Sequence, residues 1–508
     1  MIEIVICAVS VAVAWWLARA MWSYYYLNCM KDEKVDLPLP PGTMGLPFIG
    51  ETMDLAMKKD FWEKKYEKYG NIYKTHVLGS PVVRVTSSEF VSTVLRGENT
   101  LVKIGVPRHI EELLGDCGAL SVMTGPKHTP LKQVFYQVLS GISLGEFCPR
   151  MQEVVRSNLD MLLVKKNIAV YEEIKTLNFQ ASSKLLLGED RFAASEMDKI
   201  RQAAVEFMGA LFTVPWNIPG FPVWKARRGR QTINSYIGKA IDSNSNDIDN
   251  GDAISHLLKA ALPLHCRRLT KDDIYTNSTE LQPEYRRLTR MEVMDAAAEM
   301  LFMSSISTSS AMTSIVLLLG QHQEVREKIL AELGEHGLLM AKDDVNIQPL
   351  TTEKLTKLKY VQCVIKEVLR LKPPVGGVFR KVLQTLELGG YQIPRGWTVI
   401  CSIKDMQENS QVFKDGQNFN PERWLHVSPE ESKQLRFENI PFGGGHRVCP
   451  GRKFAQQLLQ IFTIELVARC NWELTNPNPT MARLPVLHPV DSLPAVFSPR
   501  RSRHNHPD

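Results

Sequence analysis

Apolar residues dominate the start of the chain. From Ile4 to Leu27 the only charge is Arg19. A run of this kind approaches the roughly 20 apolar residues that a helix needs to cross a bilayer. Trp15, Trp16, Trp22, Tyr24, Tyr25 and Tyr26 supply aromatics of the type enriched at membrane interfaces. A cleaved secretory signal is the competing reading, with Ala18-Arg19-Ala20 as a faint cleavage-like triplet. Against it, no basic residue precedes the run, whereas Lys31 and Lys34 follow it. The positive-inside tendency then leaves the remainder in the cytosol. Positions 1–28 are expected to be an uncleaved anchor, and positions 29–50 a linker. The linker holds Leu37-Pro38-Leu39-Pro40-Pro41-Gly42 and Gly45-Leu46-Pro47, stiff because proline fixes φ and removes a donor. Positions 51–508 are expected to form one domain.

Beyond the linker, helical periodicity prevails. It predicts helices at Asp60–Lys68, Leu131–Leu139, Met151–Leu163, Ala194–Phe212, Ile233–Asp242 and Val361–Leu371. Met291–Gly320 is long and weakly charged, so a central buried helix is expected. Asn71–Val77 and Pro81–Thr86 are β-branched and flank Leu78-Gly79-Ser80, which predicts a hairpin. Short strands are expected around Val378–Val382, Thr385–Leu388 and Thr398–Ile400, and a loop at Ser243–Asp252. The fold class implied is mainly α with a smaller β region (α+β).

Composition narrows the function classes. With 44% hydrophobic and 23% charged residues, the chain reads as an ordinary globular protein. A net charge of +6, spread out, argues against nucleic acid as a partner. The nine cysteines are scattered with no C-x-x-C pair, which fits a reducing compartment better than a disulfide scaffold. The Asn277-Ser278-Thr279 sequon is therefore read as unused.

Cys449 carries the most chemistry. It lies in Phe442-Gly443-Gly444-Gly445-His446-Arg447-Val448-Cys449-Pro450-Gly451, directly before a helical run. A helix N-terminus favours a thiolate, and Arg447 adds a cation. A glycine turn lets a flat cofactor approach the backbone. These features point to an axial thiolate ligand for haem iron. A small buried cysteine is the plain alternative. Zinc would need more ligands, and no other cysteine lies within Ser432–Arg469.

The composite F-x-x-G-x-R-x-C-x-G, fixed by Phe442, Gly445, Arg447, Cys449 and Gly451, resembles the haem-binding loop of the cytochrome P450 family. The resemblance implies haem b, a long central helix and a proximal cysteine loop around the buried haem, with 51–508 as the catalytic domain. Glu367, Arg370 and Arg423 match its E-x-x-R and P-E-R-[FW] elements and imply a buried structural network. Arg380, Arg447, and the i, i+4 pair His128 and Lys132 match positions that contact the haem propionates. A solvated surface lysine is the alternative for Lys132. NADPH–cytochrome P450 reductase is the implied electron donor, because no nucleotide-binding motif occurs. Lys132, Arg452 and Lys453 are candidate docking contacts. The implied location is the endoplasmic reticulum membrane.

The long helix departs from the family pattern. Where an acid–alcohol pair is usual, Ile306 stands at the acid position and Ser307 at the alcohol, with Thr308 next. Ile306 cannot carry a proton, and loss of such a relay typically costs about 10²–10⁴-fold. Ser307 and Thr308 are the catalytic candidates; the alternative is that they bond back to helix carbonyls. Leu37–Glu51, Tyr69–His76, Tyr360–Arg370, Gly390–Trp397 and Asn471–Phe497 are similar to the retinoic acid hydroxylases within the family. That implies a lipophilic carboxylic acid substrate. Phe302, Val375 and Phe379 match pocket positions, or are plain core. Arg84 matches a cation for the carboxylate, or is an exposed strand charge. Val106 replaces a pocket tryptophan before Pro107, which widens the site. A sterol or terpenoid hydroxylase is one alternative. A haem-binding isomerase or ligand-binding protein that lacks efficient oxygen activation is the other.

Overall fold

In the computed structural model, the described residues are 2–58, 60–106, 108–115, 119–140, 142–165, 167–188, 191–211, 213, 216–244, 252–263, 285–339 and 347–500. The Asn277 sequon, Pro107, Phe212 and most of the Ser243–Asp252 loop lie outside them. The chain forms two compact units. The first combines Met1–Val106, Gly377–Lys414 and Gln434–Val448. The second combines Pro107–Gly376, Asp415–Lys433 and Cys449–Asp508.

The first unit is built on a five-stranded sheet of β1 (Ile72–Val77), β2 (Ser80–Val85), β3 (Val102–Ile104), β4 (Gly377–Val382) and β5 (Thr398–Ser402), in the order β1-β2-β5-β4-β3. The expected hairpin is present. Its turn is Leu78-Gly79, both at positive φ (53° and 75°), which matches the twist of a two-residue connection. β5 pairs parallel with β2 and antiparallel with β4. The short strand expected around Thr385–Leu388 is present at Leu386–Leu388 and pairs with Tyr391–Ile393 as a separate ribbon. Val83, Val85, Trp397, Val399 and Cys401 form the centre of this unit's apolar core.

The N-terminal run is helical over Ile2–Tyr24 (α1) and continues as a π-turn over Tyr25–Cys29. Ile6, Val9, Val13, Trp16 and Met21 are exposed. Two of the aromatics do something else. The Trp22 Nε1 donates to the Met44 carbonyl at 3.3 Å, and the Tyr26 hydroxyl lies 3.4 Å from His76 Nε2 on β1. The linker is fastened too: the buried Gln392 side chain donates to the carbonyls of Val35 (2.7 Å) and Leu37 (2.6 Å). A short helix, α2 (Ser88–Arg96), follows the hairpin.

The second unit is helical around a long rod. Its elements include α3 (His128–Val138), α4 (Ile142–Lys165), α5 (Val170–Leu187), α6 (Ala194–Gly209), α7 (Pro222–Asn244), α8 (Arg290–Gln321), α9 (Lys359–Leu371) and α10 (Arg452–Arg469). α8 opens with a capping box: the Thr289 hydroxyl accepts from Glu292 N, and Glu292 accepts from Thr289 N. Among the described residues α8 is long and apolar enough to cross a membrane, yet 78% of its apolar window is buried, so it is the core helix that was expected. α5 packs along it, α7 packs on α6, and α10 packs on α4. α4 begins well before the expected Met151 and runs through Pro149. Asn167–Ala169, Cys470–Leu474 and Pro494–Pro499 add a three-stranded sheet.

One fully buried carboxylate holds α9 to the segment that follows residue 415. Both Glu367 and Arg370 have no exposed side-chain area. Glu367 accepts from Arg370 Nε (2.9 Å) and Nη2 (2.8 Å), Arg423 Nε (2.9 Å), Trp424 Nε1 (2.9 Å) and Asn420 N (3.1 Å). Arg370 donates onward to the Gly416 and Asn418 carbonyls. Removing one partner of such a pair strands the other charge, at a cost of about 3–5 kcal/mol. Glu367→Ala should therefore lower the unfolding midpoint in a thermal melt sharply, and more than Trp424→Phe, which removes a single neutral donor.

Candidate active site

The cysteine loop owes its path to two glycines at positive φ, Gly443 (73°) and Gly445 (65°). At Gly445 a Cβ would stand 2.7 Å from the Leu95 carbonyl oxygen, so only glycine lets the loop lie against the end of α2. A 3₁₀ turn over Gly445–Arg447 follows, and Phe442 is half-buried beside it. Arg447 was expected to serve as the cation beside the thiol. Instead its Nε donates to Glu98 Oε1 at 2.9 Å. Arg380, on β4, meets the other oxygen of the same carboxylate, Nε to Oε2 at 2.7 Å. Two of the residues matched to propionate contacts are thus joined by a buried glutamate that sequence reasoning missed.

Cys449 opens the segment leading into α10, capped by Gly451. Of the described cysteines, Cys7, Cys29 and Cys449 are exposed. Cys449 is nonetheless hemmed in by protein. Burial pushes its thiol up, and the Gly451 backbone N–H, Lys132 and Arg452 pull it partly back. The cations acting on it are therefore Lys132 and Arg452 rather than Arg447. Lys132 is half-buried on α3, and His128 at the start of the same helix is buried. Taken unit by unit, the donors are of the kinds haem takes: the first unit offers the buried guanidiniums of Arg380 and Arg447, the second an accessible thiol at Cys449 and a buried imidazole at His128.

On α8, the serines are turned toward backbone. Ser307 donates to the Met303 carbonyl at 2.9 Å, Ser304 to Leu301 and Ser305 to Phe302. Asn178 of α5 reaches into this stretch and donates to the carbonyls of Ser304 (2.9 Å) and Ser305 (2.6 Å). Ile306 and Ser307 are half-buried and Thr308 is buried. Phe302 is fully buried and stacked on Phe207 with centroids 3.9 Å apart. The Arg230 guanidinium lies 5.8 Å from the Phe302 ring centre and pairs with Asp295 at 2.5 Å. Glu299, one turn beyond, accepts from the Leu120 and Ser121 N–H groups. Burial pushes its carboxyl up, against the pull of those hydrogen bonds and of Arg230.

The remaining candidates are dispersed. Phe379 packs with Phe61, Val77, Val82 and Ile400 of the first unit, and Val106 is half-buried. Val375 is exposed. Arg84 is not an exposed strand charge, and its guanidinium already has a carboxylate. It pairs with Asp405 at 2.7 Å, donates to the Ser402 hydroxyl at 2.8 Å and covers the Trp62 ring at 4.2 Å.

The family is shown by comparison with known proteins. A family model described as Cytochrome P450 matches residues 40–492, and the chain belongs to that family. It is a monooxygenase whose cofactor is haem with an iron-bound cysteine thiolate. It is similar to cytochrome P450 26A1 of Xenopus laevis, 38% identical over 95% of this chain and 94% of the relative. It is also similar to cytochrome P450 26C1 of Mus musculus (35%, covering 95% and 92%) and 26B1 of Homo sapiens (34%, covering 98% and 94%). Among solved structures, a retinoic acid-bound cyanobacterial CYP120A1 superposes with a TM-score of 0.79 at 26% identity, covering 92% of this chain and 100% of that one. The mixed α+β class expected from the sequence holds.

The Arg84–Asp405 pair has a pH signature. Burial works to raise the Asp405 carboxyl, but the charge and hydrogen bond of Arg84 more than offset it and hold the group below its usual range. A lowered folded value contributes stability above the unfolded value, near 4, and loses it as pH falls through the folded one. Asp405→Asn should melt below the wild type at pH 7. The gap between the two midpoints should narrow as the pH drops below about 4.

Proposed function

We propose that this chain hydroxylates an apolar polyene carboxylic acid of the retinoic acid type, with Cys449 as the axial ligand. The observation that carries the ligand assignment is the accessible Cys449 thiol in its glycine turn at the start of α10. The substrate class is supported by the likeness to a retinoic acid-bound structure along 92% of the chain. Thiolate-ligated haem supplies reductive activation of dioxygen. One oxygen atom enters a substrate C–H bond and the other leaves as water, with two electrons from NADPH through a separate reductase. Arg380, Arg447, His128 and Lys132 hold the propionates, while Glu367, Arg370 and Arg423 keep the proximal segment in place. Phe302, Phe379, Val375 and Val106 are the apolar pocket candidates. Arg84, already paired, is better read as a structural cation than as the partner of the substrate carboxylate. α1 serves as a single-pass anchor in the endoplasmic reticulum membrane, with the body in the cytosol.

Proton supply is the weak point. Ser307 is bonded to its own helix, and Ile306 offers no proton. This favours, as a second reading, a haem-binding protein that isomerises or sequesters its ligand. Thr308 and Ser307 must carry the relay if the first reading holds, at a rate reduced by the missing acid.

Cys449→Ala should abolish the reduced carbon-monoxide band of a thiolate haem; an unchanged band would overturn the ligand assignment. Turnover of retinoate with reductase and NADPH, run beside Ile306→Glu, separates the two readings. Product from the wild type removes the second reading, whereas product from the variant alone supports it. A tight spectral shift with a sterol and none with retinoate would replace the substrate class.

A further inference from the structure

Glu98 was singled out by no motif, yet it lies where three segments of the first unit meet. It follows α2, its Oε2 faces Arg380 of β4 at 2.7 Å, and its Oε1 accepts from Arg447 of the cysteine loop at 2.9 Å. The three side chains are sealed from solvent, with 1% of Glu98, 4% of Arg380 and 8% of Arg447 exposed. Gly445 brings the loop onto the Leu95 carbonyl three residues before Glu98, so the carboxylate sits at the seam between α2 and the loop.

Two guanidiniums this close repel each other, and in a low-dielectric interior the repulsion is strong. The carboxylate between them faces each Nε with one oxygen, accepts a hydrogen bond from Arg447, and supplies one negative charge for two positive ones. Arg380 meets it as a close ion pair without an aligned hydrogen bond and donates Nη1 to the Phe379 carbonyl at 2.9 Å, whereas Arg447 donates its Nε side-on to it. Side-on pairing of this kind sets the plane of a guanidinium, because its donors form a rigid fork. Stability alone does not call for such a trio, since buried ion pairs seldom outperform apolar packing.

We propose that Glu98 is a positioning residue for the haem: it fixes the plane of Arg447 and the spacing between Arg447 and Arg380 and, as a buried negative charge, lowers the haem reduction potential. The inference rests on reading Arg380 and Arg447 as propionate contacts. Its electrostatic part is simple. Reduction adds an electron to the iron, and a fixed anion nearby opposes that electron. Charges and hydrogen bonds around a metal tune it in this way without touching it.

The test is spectroelectrochemical titration of the haem-loaded protein, with haem transfer to apomyoglobin as a second readout. Glu98→Gln should shift the midpoint potential to a more positive value and speed haem loss several-fold. Glu98→Asp, which keeps the charge, should stay near the wild type in potential. Glu98→Gln that takes up no haem while Glu98→Asp does would also support the assignment. A loaded Glu98→Gln protein with unchanged potential overturns it, and so does failure of both variants to take up haem, which would make Glu98 a packing residue. Arg380→Gln and Arg447→Gln, measured alongside, keep the two readings apart. If they speed haem loss and shift the potential but Glu98→Gln does not, only the role of Glu98 fails. If neither arginine variant changes haem retention, the reading of the propionate contacts fails first.

Discussion

A carboxylate with no exposed surface must find all its partners within the protein, and Glu367 finds five donors. Leaving any buried charge unpaired is costly, so each such group dictates the position of whatever satisfies it. The same constraint recurs at two other glutamates. Glu98 gathers Arg380 and Arg447 at the end of α2, and Glu299 fastens the Leu120–Ser121 backbone to α8. Each carboxylate ties irregular chain to a regular element. The cysteine loop and the Leu120–Ser121 stretch lack ladders of their own, and buried ionic contacts take over the task of fixing them.

The sequence was readable where its signals are local. The cysteine loop, the E-x-x-R pair on α9, the hairpin at Leu78-Gly79 and the long apolar α8 all depend on residues a few positions apart, and all have their expected local form. What failed was pairing across distance. Glu98 and Arg447 are 349 residues apart, and Arg84 and Asp405 are 321 apart; no periodicity encodes such partners. Hence Arg447 was placed beside the thiol and Arg84 was left open for a substrate. The helix expected at Met151–Leu163 is longer at both ends, Ile142–Lys165, and runs through Pro149.

On α8, Ser304, Ser305 and Ser307 all donate to carbonyls of their own helix. Hydroxyls that donate to their own helix carbonyls are satisfied, and a satisfied hydroxyl must break a bond before it can relay. Asn178 adds two donors to the carbonyls of Ser304 and Ser305, which holds that stretch of α8 from the α5 side. The stretch of α8 around Ile306 is thereby fixed in its backbone and satisfied in its serine hydroxyls.

α1 does not end freely. Trp22 and Tyr26 are tied to Met44 and His76, and Gln392 grips the linker immediately afterward. A helix clamped at its last turn and followed by tethered chain behaves as a lever arm rather than a leash. Any tilt imposed on α1 from outside would be passed to the first unit as a rotation instead of being absorbed by slack chain.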